Sequence, residues 1–129
     1  MDYSFVYDET RVLQTVIQRG YWTIGVFRAF EREFLHWHAR IRLRHRNYRV
    51  FAECAEFKVQ SNDIGEAFGA LFAKLMEENH GHYAIIAGTT LNRIQAKRVI
   101  PHPHVEVFTD RDEAMAWLFE PGSLPDEEA

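Results

Sequence analysis

Residues 50–76 read VFAECAEFKVQSNDIGEAFGALFAKLM, and this stretch decides the fold. The run from Val50 to Ala55 is short and apolar, as a buried strand is. A polar hinge follows, Gln60-Ser61-Asn62-Asp63. Beyond it Ile64, Ala67, Phe68, Leu71, Phe72, Leu75 and Met76 recur at steps of three and four, the spacing of one helical face. A buried strand that feeds a helix through a few capping residues is the repeating unit of an α/β sheet. The helix N-terminus in such a unit lies where these sheets commonly place ligands or partners.

Toward the N-terminus, Tyr3, Phe5 and Tyr7 alternate as one face of a first strand. After Asp8-Glu9-Thr10, Val12 to Gln18 reads as a second, antiparallel to it, with Leu13, Thr15 and Ile17 opposite Val12, Gln14 and Val16. Gly20 ends that strand, and Thr23 is the expected N-cap of a first helix running from Ile24 into the low 40s. Its apolar stripe is Ile24, Phe27, Phe30, Phe34, Trp37 and Ile41, and Asn47 is expected to stop it. Tyr48 to Ala55 is the third strand. The helix at the hinge closes at Asn79-His80-Gly81.

Residues 82–87, HYAIIA, are apolar on both faces, as a strand covered on each side would be. Gly88-Thr89-Thr90 turns into a less regular helix through Leu91, Ile94 and Val99. Pro101 and Pro103 bracket a loop, Val105 to Phe108 is a fifth strand, and Asp110 to Glu113 has capping-box spacing for a last helix with Ala114, Trp117 and Leu118 inward. The order β-β-α-β-α-β-α-β-α predicts an α/β fold with a mixed, mostly parallel five-stranded sheet and four helices. One domain over residues 1–121 is expected, with 122–129 an acidic, disordered tail.

The chain has 129 residues, enough for a single core. Its net charge of -4 gives no general pull toward nucleic acid. Nothing at the start has the form of a signal peptide, and no apolar run approaches the ~20 residues of a membrane helix. The expectation is a cytoplasmic, bacterial-type domain without stable membrane insertion. Cys54, the only cysteine, is expected to act as a small buried hydrophobe.

The element order, the strand-hinge-helix centre and the closing Glu113-Ala114-Met115-Ala116-Trp117-Leu118 helix resemble the STAS domain. This is the fold of bacterial anti-sigma factor antagonists, found also at the cytoplasmic end of sulfate transporters. Within that superfamily the chain is most similar to stand-alone SpoIIAA-like proteins, often grouped with Sec14-type lipid-binding domains. The resemblance spans about residues 3 to 120. It implies a SpoIIAA/STAS-like regulatory or binding domain, in which a serine at the start of the hinge helix is phosphorylated by a partner kinase. Here the matching stretch is Ser61-Asn62-Asp63-Ile64-Gly65. Distance from the strand puts Asp63 at the phosphorylated position, the glycine puts Ile64 there, and neither is a phosphate acceptor of that kind. Asp63 either imitates the phosphorylated state as a permanent charge or, more simply, forms a capping box with Glu66. Such caps contribute ~1 kcal/mol.

The carboxyl ends of parallel strands lie together, so three turns should converge. The candidate partner or ligand site is therefore Tyr21, Trp22 and Thr23 after the second strand, Ser61, Asn62 and Asp63 after the third, and Thr89 and Thr90 after the fourth. Trp22 and Tyr21 are expected to be exposed there. At the opposite edge, His45, His80, His82, His102 and His104 should gather, whereas His36 and His38 diverge on a helix. Imidazoles suit zinc, nickel or copper, but no cysteine or His-Glu-x-x-His motif accompanies them, so no metal and no cofactor are expected. The arginines between Arg40 and Arg46 read as a solvated helix end paired with nearby acids.

No catalytic residue is expected: Ser61 lacks a Gly-x-Ser-x-Gly setting and Cys54 is mid-strand. The function expected first is therefore non-enzymatic, protein–protein contact at the hinge edge, with a homodimer admissible. The alternative is a carrier whose Phe27, Phe30, Phe34 and Trp37, with Phe68 and Phe72, enclose a lipid or other small apolar ligand. An unrecognised enzyme comes third.

Overall fold

Alternation along the first two strands and unbroken burial along the third and fourth produce the sheet the sequence calls for. The computed structural model describes residues 2–99 and 102–125. Its elements are β1 (Tyr3–Asp8), β2 (Leu13–Gly20), α1 (Ile24–Ile41), β3 (Arg49–Phe57), α2 (Asn62–Glu78), β4 (Tyr83–Ala87), α3 (Thr90–Val99), β5 (Val105–Phe108) and α4 (Arg111–Leu118). The strands lie in the order β1-β2-β3-β4-β5. β1 is antiparallel to β2, and every later pair is parallel.

Each crossover advances one strand in the same direction, so right-handed connections put α1, α2 and α3 on one face. The larger core lies there. Phe27, Phe30, Phe34 and Ile41 of α1 and Ile64, Phe68, Leu71, Phe72 and Leu75 of α2 pack on Val16, Val50, Ala52, Tyr83 and Ile85 of the sheet. α4 covers the other face with Ala114 and Leu118 against Leu13, Phe51, Ala84 and Ile86. β4 is thus buried along its whole length, as the residues 82–87 run requires.

Several local expectations give way to tertiary packing. Val12 is a turn residue with φ 48°, not the start of β2. Ile24 is exposed and Trp37 only half-buried, while His38 takes a core position; its Nδ1 lies 2.7 Å from the Tyr48 hydroxyl and its Nε2 3.1 Å from Glu78 Oε1. A polar ring can occupy that place because both its nitrogens are satisfied. α1 ends at Ile41, before Asn47. Asn47 is buried and ties segments together, its Oδ1 accepting from His80 N at 2.7 Å and its Nδ2 donating to Pro125 O at 2.6 Å. Chain beyond Pro121 continues to pack, with Ser123 and Leu124 buried and Ser123 O accepting from His82 N at 2.9 Å. Pro101 and residues 126–129 lie outside the described residues.

The connections leave no room at two glycines. A Cβ on Gly81 would run into the Tyr48 carbonyl, and one on Gly88 into the Ala55 carbonyl; both obstacles are backbone and cannot swing aside. Gly25, in the first turn of α1, has only Thr23 Oγ1 at 3.7 Å from such a Cβ. Gly88→Ala is therefore expected to lower unfolding free energy by about 2 kcal/mol or more in urea titration. Gly25→Ala should raise it by about 0.5 kcal/mol through reduced unfolded-state freedom.

Candidate functional site

The turns after β2 and β3 meet at Gln60, which also joins them to α3, the helix that follows β4. Its Oε1 accepts from Trp22 N at 2.8 Å, and its Nε2 donates to Gly20 O at 2.9 Å and Lys58 O at 2.6 Å. Gln60 N donates to Gln95 Oε1 and Gln95 Nε2 returns a bond to Gln60 O, each at 3.0 Å. Asn92 Nδ2 donates to the Phe57 carbonyl. The ends of β2 and β3 and the helix α3 are thereby held by side-chain amides.

Three of the eight side chains expected to form a rim site, Trp22, Thr23 and Thr89, serve the backbone instead. Trp22 is 1% exposed, against the expectation of an open surface ring. Its ring packs on Phe30 (5.0 Å between centroids), Phe57 (4.8 Å) and Phe68 (5.6 Å), and Nε1 donates to Arg19 O at 2.8 Å. The tight exit from Gly20, with φ 79°, is followed by a ring that turns down into the core, where a large aromatic gains most. Thr23 caps α1 through Oγ1, which accepts from Val26 N at 3.3 Å. Thr89 Oγ1 likewise accepts from Asn92 N at 3.1 Å. Tyr21 remains 60% exposed, and Asn62, Asp63 and Thr90 are exposed as well.

The capping box expected of Asp63 and Glu66 is absent. Ser61 holds the N-cap position of α2 and makes no side-chain bond to the helix amides; its hydroxyl donates to the Asp63 carboxylate instead. That hydroxyl, foremost, holds the Asp63 carboxyl below its usual range. A charge one turn into an exposed helix end interacts with the dipole, but it cannot reach back to close a box.

Beside this rim, between α2, α3 and the sheet, lies a small pocket of about 70 Å³. Its floor is built from small side chains, Ala52 and Cys54 of β3 and Ala87 of β4, with Gln18, Ile85 and Tyr83 beside them. α2 supplies Gly65, Phe68 and Phe72, and α3 supplies Asn92, Gln95 and Ala96. Small residues on floor and helices are the reason space remains there. Among the described residues Lys58 is the one cation in the lining. The Cys54 thiol is pushed far up by burial, which leaves it protonated and unreactive.

Tyr83 is the unusual member of this lining. It is 1% exposed, and among the described residues its hydroxyl has no hydrogen-bond partner. The Gln14 amide is likewise buried and unpaired, but it does not line this pocket. An unmet buried hydroxyl forfeits roughly 1–3 kcal/mol, which a ligand's polar group can recover. Sequence reading missed Tyr83 because it sits within an otherwise apolar strand. The available signal was a phenol in a segment buried on both faces, together with Gln14 and Gln18 on the same face of β2 as Val16.

The space for an apolar ligand is not where the sequence placed it. Phe27, Phe30 and Phe34 are fully buried and packed on one another, on Trp22 and on Phe68, which leaves a solid aromatic core between α1 and the sheet. Phe68 and Phe72 do reach the pocket, from its other side.

At the amino edge the five histidines divide. His82 stacks on Trp117 at 4.0 Å and bonds its carbonyl, and His45 Nε2 lies 2.7 Å from Glu9 Oε1. His102 and His104 face each other, Nδ1 to Nδ1 at 3.2 Å, and His80 stands 5.8 Å from His104 by ring centroids. Among the described residues no group of three or more His, Cys, Asp or Glu is placed to hold a metal ion. The arginines pair as expected: Arg42 with Glu78 at 3.1 Å and Arg44 with Glu9 at 2.7 Å. Glu9 is held down to about 2 by Arg44, then Tyr7 and His45.

Burial, followed by the neighbouring His102, His80 and His82, pushes His104 from 6.5 down to about 4. Burial also lowers His38, against the opposing pull of Glu78. The unfolded chain therefore takes up protons below pH 6.5 that the folded chain refuses, and stability falls as pH drops from there toward about 4. Urea midpoints measured across that range should decline in the wild type and decline less steeply in His104→Gln. Loss from the ion-paired carboxylates enters only near the bottom of the window. In comparisons with known proteins, no family model matches the chain, and no curated protein matches it either.

Proposed function

We propose that this chain is a non-enzymatic binding domain whose α2–α3 pocket holds a small, largely apolar molecule carrying one hydrogen-bonding group. The observation that carries this reading is Tyr83, a member of a lining that mixes aromatic and small apolar side chains with amides, whose buried hydroxyl is unpaired among the described residues. Aromatic walls from Phe57, Phe68 and Phe72 favour an apolar body, and the hydroxyl orients a single polar group. The lining has no activated nucleophile, since Cys54 is held protonated. The STAS and Sec14-type resemblance favours the same class, a binding or regulatory domain, and the hinge, Ser61 to Gly65, argues against a phosphoserine switch of the usual kind. Carrier thus moves ahead of protein contact, and its pocket moves from the α1 side to the α3 side.

Protein contact at the rim stays as a second reading because Tyr21, Ile24 and Val59 are large apolar side chains left exposed beside the capped helix ends. Trp22 no longer belongs to that surface.

Native mass spectrometry and solvent extraction of freshly purified protein should find a bound apolar compound. Tyr83→Phe should keep or raise the melting temperature, because it removes an unmet polar group, yet weaken retention about ten-fold through loss of one hydrogen bond. Protein that carries no compound and takes up no apolar fluorescent probe would reject the carrier reading. For the rim, Tyr21→Ala with Ile24→Ala should release a co-purifying protein partner without changing the melting temperature by more than a few degrees; a partner retained by that variant binds elsewhere.

A further inference from the structure

The helix that roofs the pocket turns its amides inward and leaves two large apolar side chains outside among its cations. Asn92, Gln95 and Ala96 of α3 face the pocket, whereas Leu91 is 68% and Ile94 51% exposed, although the sequence reading ran the helix through them as its apolar positions. At 100° per residue, Leu91, Ile94 and Arg98 fall along one side of the outer face, with Arg93 and Lys97 beside them. All three cations are exposed, and among the described residues none of them is held in an ion pair. Thr90–Val99 contains no acidic residue, in a chain whose net charge is -4. Lys58 and the exposed Val59 adjoin it, tied to α3 through Gln60 and Gln95.

We propose that the outer face of α3 docks reversibly on an anionic lipid surface, with Leu91 and Ile94 entering the headgroup layer and Arg93, Lys97 and Arg98 meeting its negative charge. Exposed apolar side chains interleaved with cations are the composition of an interfacial helix, and a helix of this length lies on a bilayer without crossing it. Charge complementarity selects an anionic bilayer over a neutral one. Nucleic acid would use the same cations but would leave Leu91 and Ile94 without a role. The arginines at the end of α1 are weaker candidates, because Arg42 and Arg44 are already paired with Glu78 and Glu9. The inference stands on the outer face of α3 and does not need the pocket to be filled. If both hold, docking would place the pocket's roof against the membrane.

Flotation of the full chain with phosphatidylserine–phosphatidylcholine vesicles, beside phosphatidylcholine vesicles alone, tests it. Wild type should float with the anionic vesicles at low salt and be released by salt. Each cation removed should weaken partitioning about five-fold, so the Arg93→Gln, Lys97→Gln, Arg98→Gln variant should stay at the bottom. Leu91→Ser with Ile94→Ser should also lose flotation, while Arg40→Gln with Arg44→Gln and Tyr83→Phe should keep it. The exposed sites are tolerant, and a melting curve for each variant separates lost docking from lost folding. No flotation of wild type, flotation undiminished in the α3 variants, loss confined to the α1 variant, or capture by duplex DNA in place of vesicles would each overturn the proposal. Because ligand retention and flotation respond to different residues, failure of one leaves the other readable.

Discussion

The fold depends on buried side-chain amides that close the two ends of a parallel sheet. Parallel strands cannot be joined by tight hairpins, so each strand end leaves backbone groups that regular pairing does not reach. At the carboxyl rim Gln60 meets Trp22 N, Gly20 O and Lys58 O, and its own backbone pairs with Gln95. At the amino rim Asn79 Oδ1 accepts from Tyr48 N at 2.9 Å and Gly81 N at 3.1 Å, while Asn47 spans His80 and Pro125. Each amide lets a polar turn be buried, and burial lets helices pack close to the strand ends. Gly81 and Gly88 belong to the same constraint, since those turns run against the backbone of the β3 segment.

That closure divides the large helical face into two unlike halves. Over β2 and β3, α1 contributes Phe27 and Phe30, which meet Phe68 ring to ring, and Phe34, which packs on Phe30 and Phe72, and the interior there is filled. Over β3 and β4, α3 contributes amides and alanine above a floor of Ala52, Cys54 and Ala87. Aromatic packing supplies the cohesion on one side, and the want of large side chains supplies the space on the other. The same polar character that holds α3 down through Gln95 and Asn92 leaves its apolar residues facing outward. Pocket and outer face are two consequences of one helix sequence.

The nine elements, their order and the parallel sheet were legible because they rest on periodicity, and periodicity survives packing. Convergence of the rim turns after β2 and β3 was legible for the same reason. Individual side chains at the rim were not. Trp22 follows a strand end and reads as a surface aromatic, yet one turn of backbone at Gly20 sends its ring inward. Asp63 has the spacing of a cap, but the helix begins two residues earlier than that cap requires, at Asn62, and Ser61 occupies the position. His38 looks like half of a His-x-His pair and is a core residue, because Tyr48 and Glu78, distant in sequence, satisfy its ring.

Local chemistry along the chain was enough to determine which segments become strands or helices and how the crossovers wind, since each helix hides one face and each parallel strand needs cover. Where the interior is full and where it is hollow was decided only in three dimensions. Void space depends on the sizes of side chains that meet from β2, β3, β4, α2 and α3 at once, and no window of neighbouring residues contains that sum. The Tyr83 hydroxyl is the plainest case: its sequence neighbours mark it as core, and only the packing around it leaves it, among the described residues, without a hydrogen-bond partner.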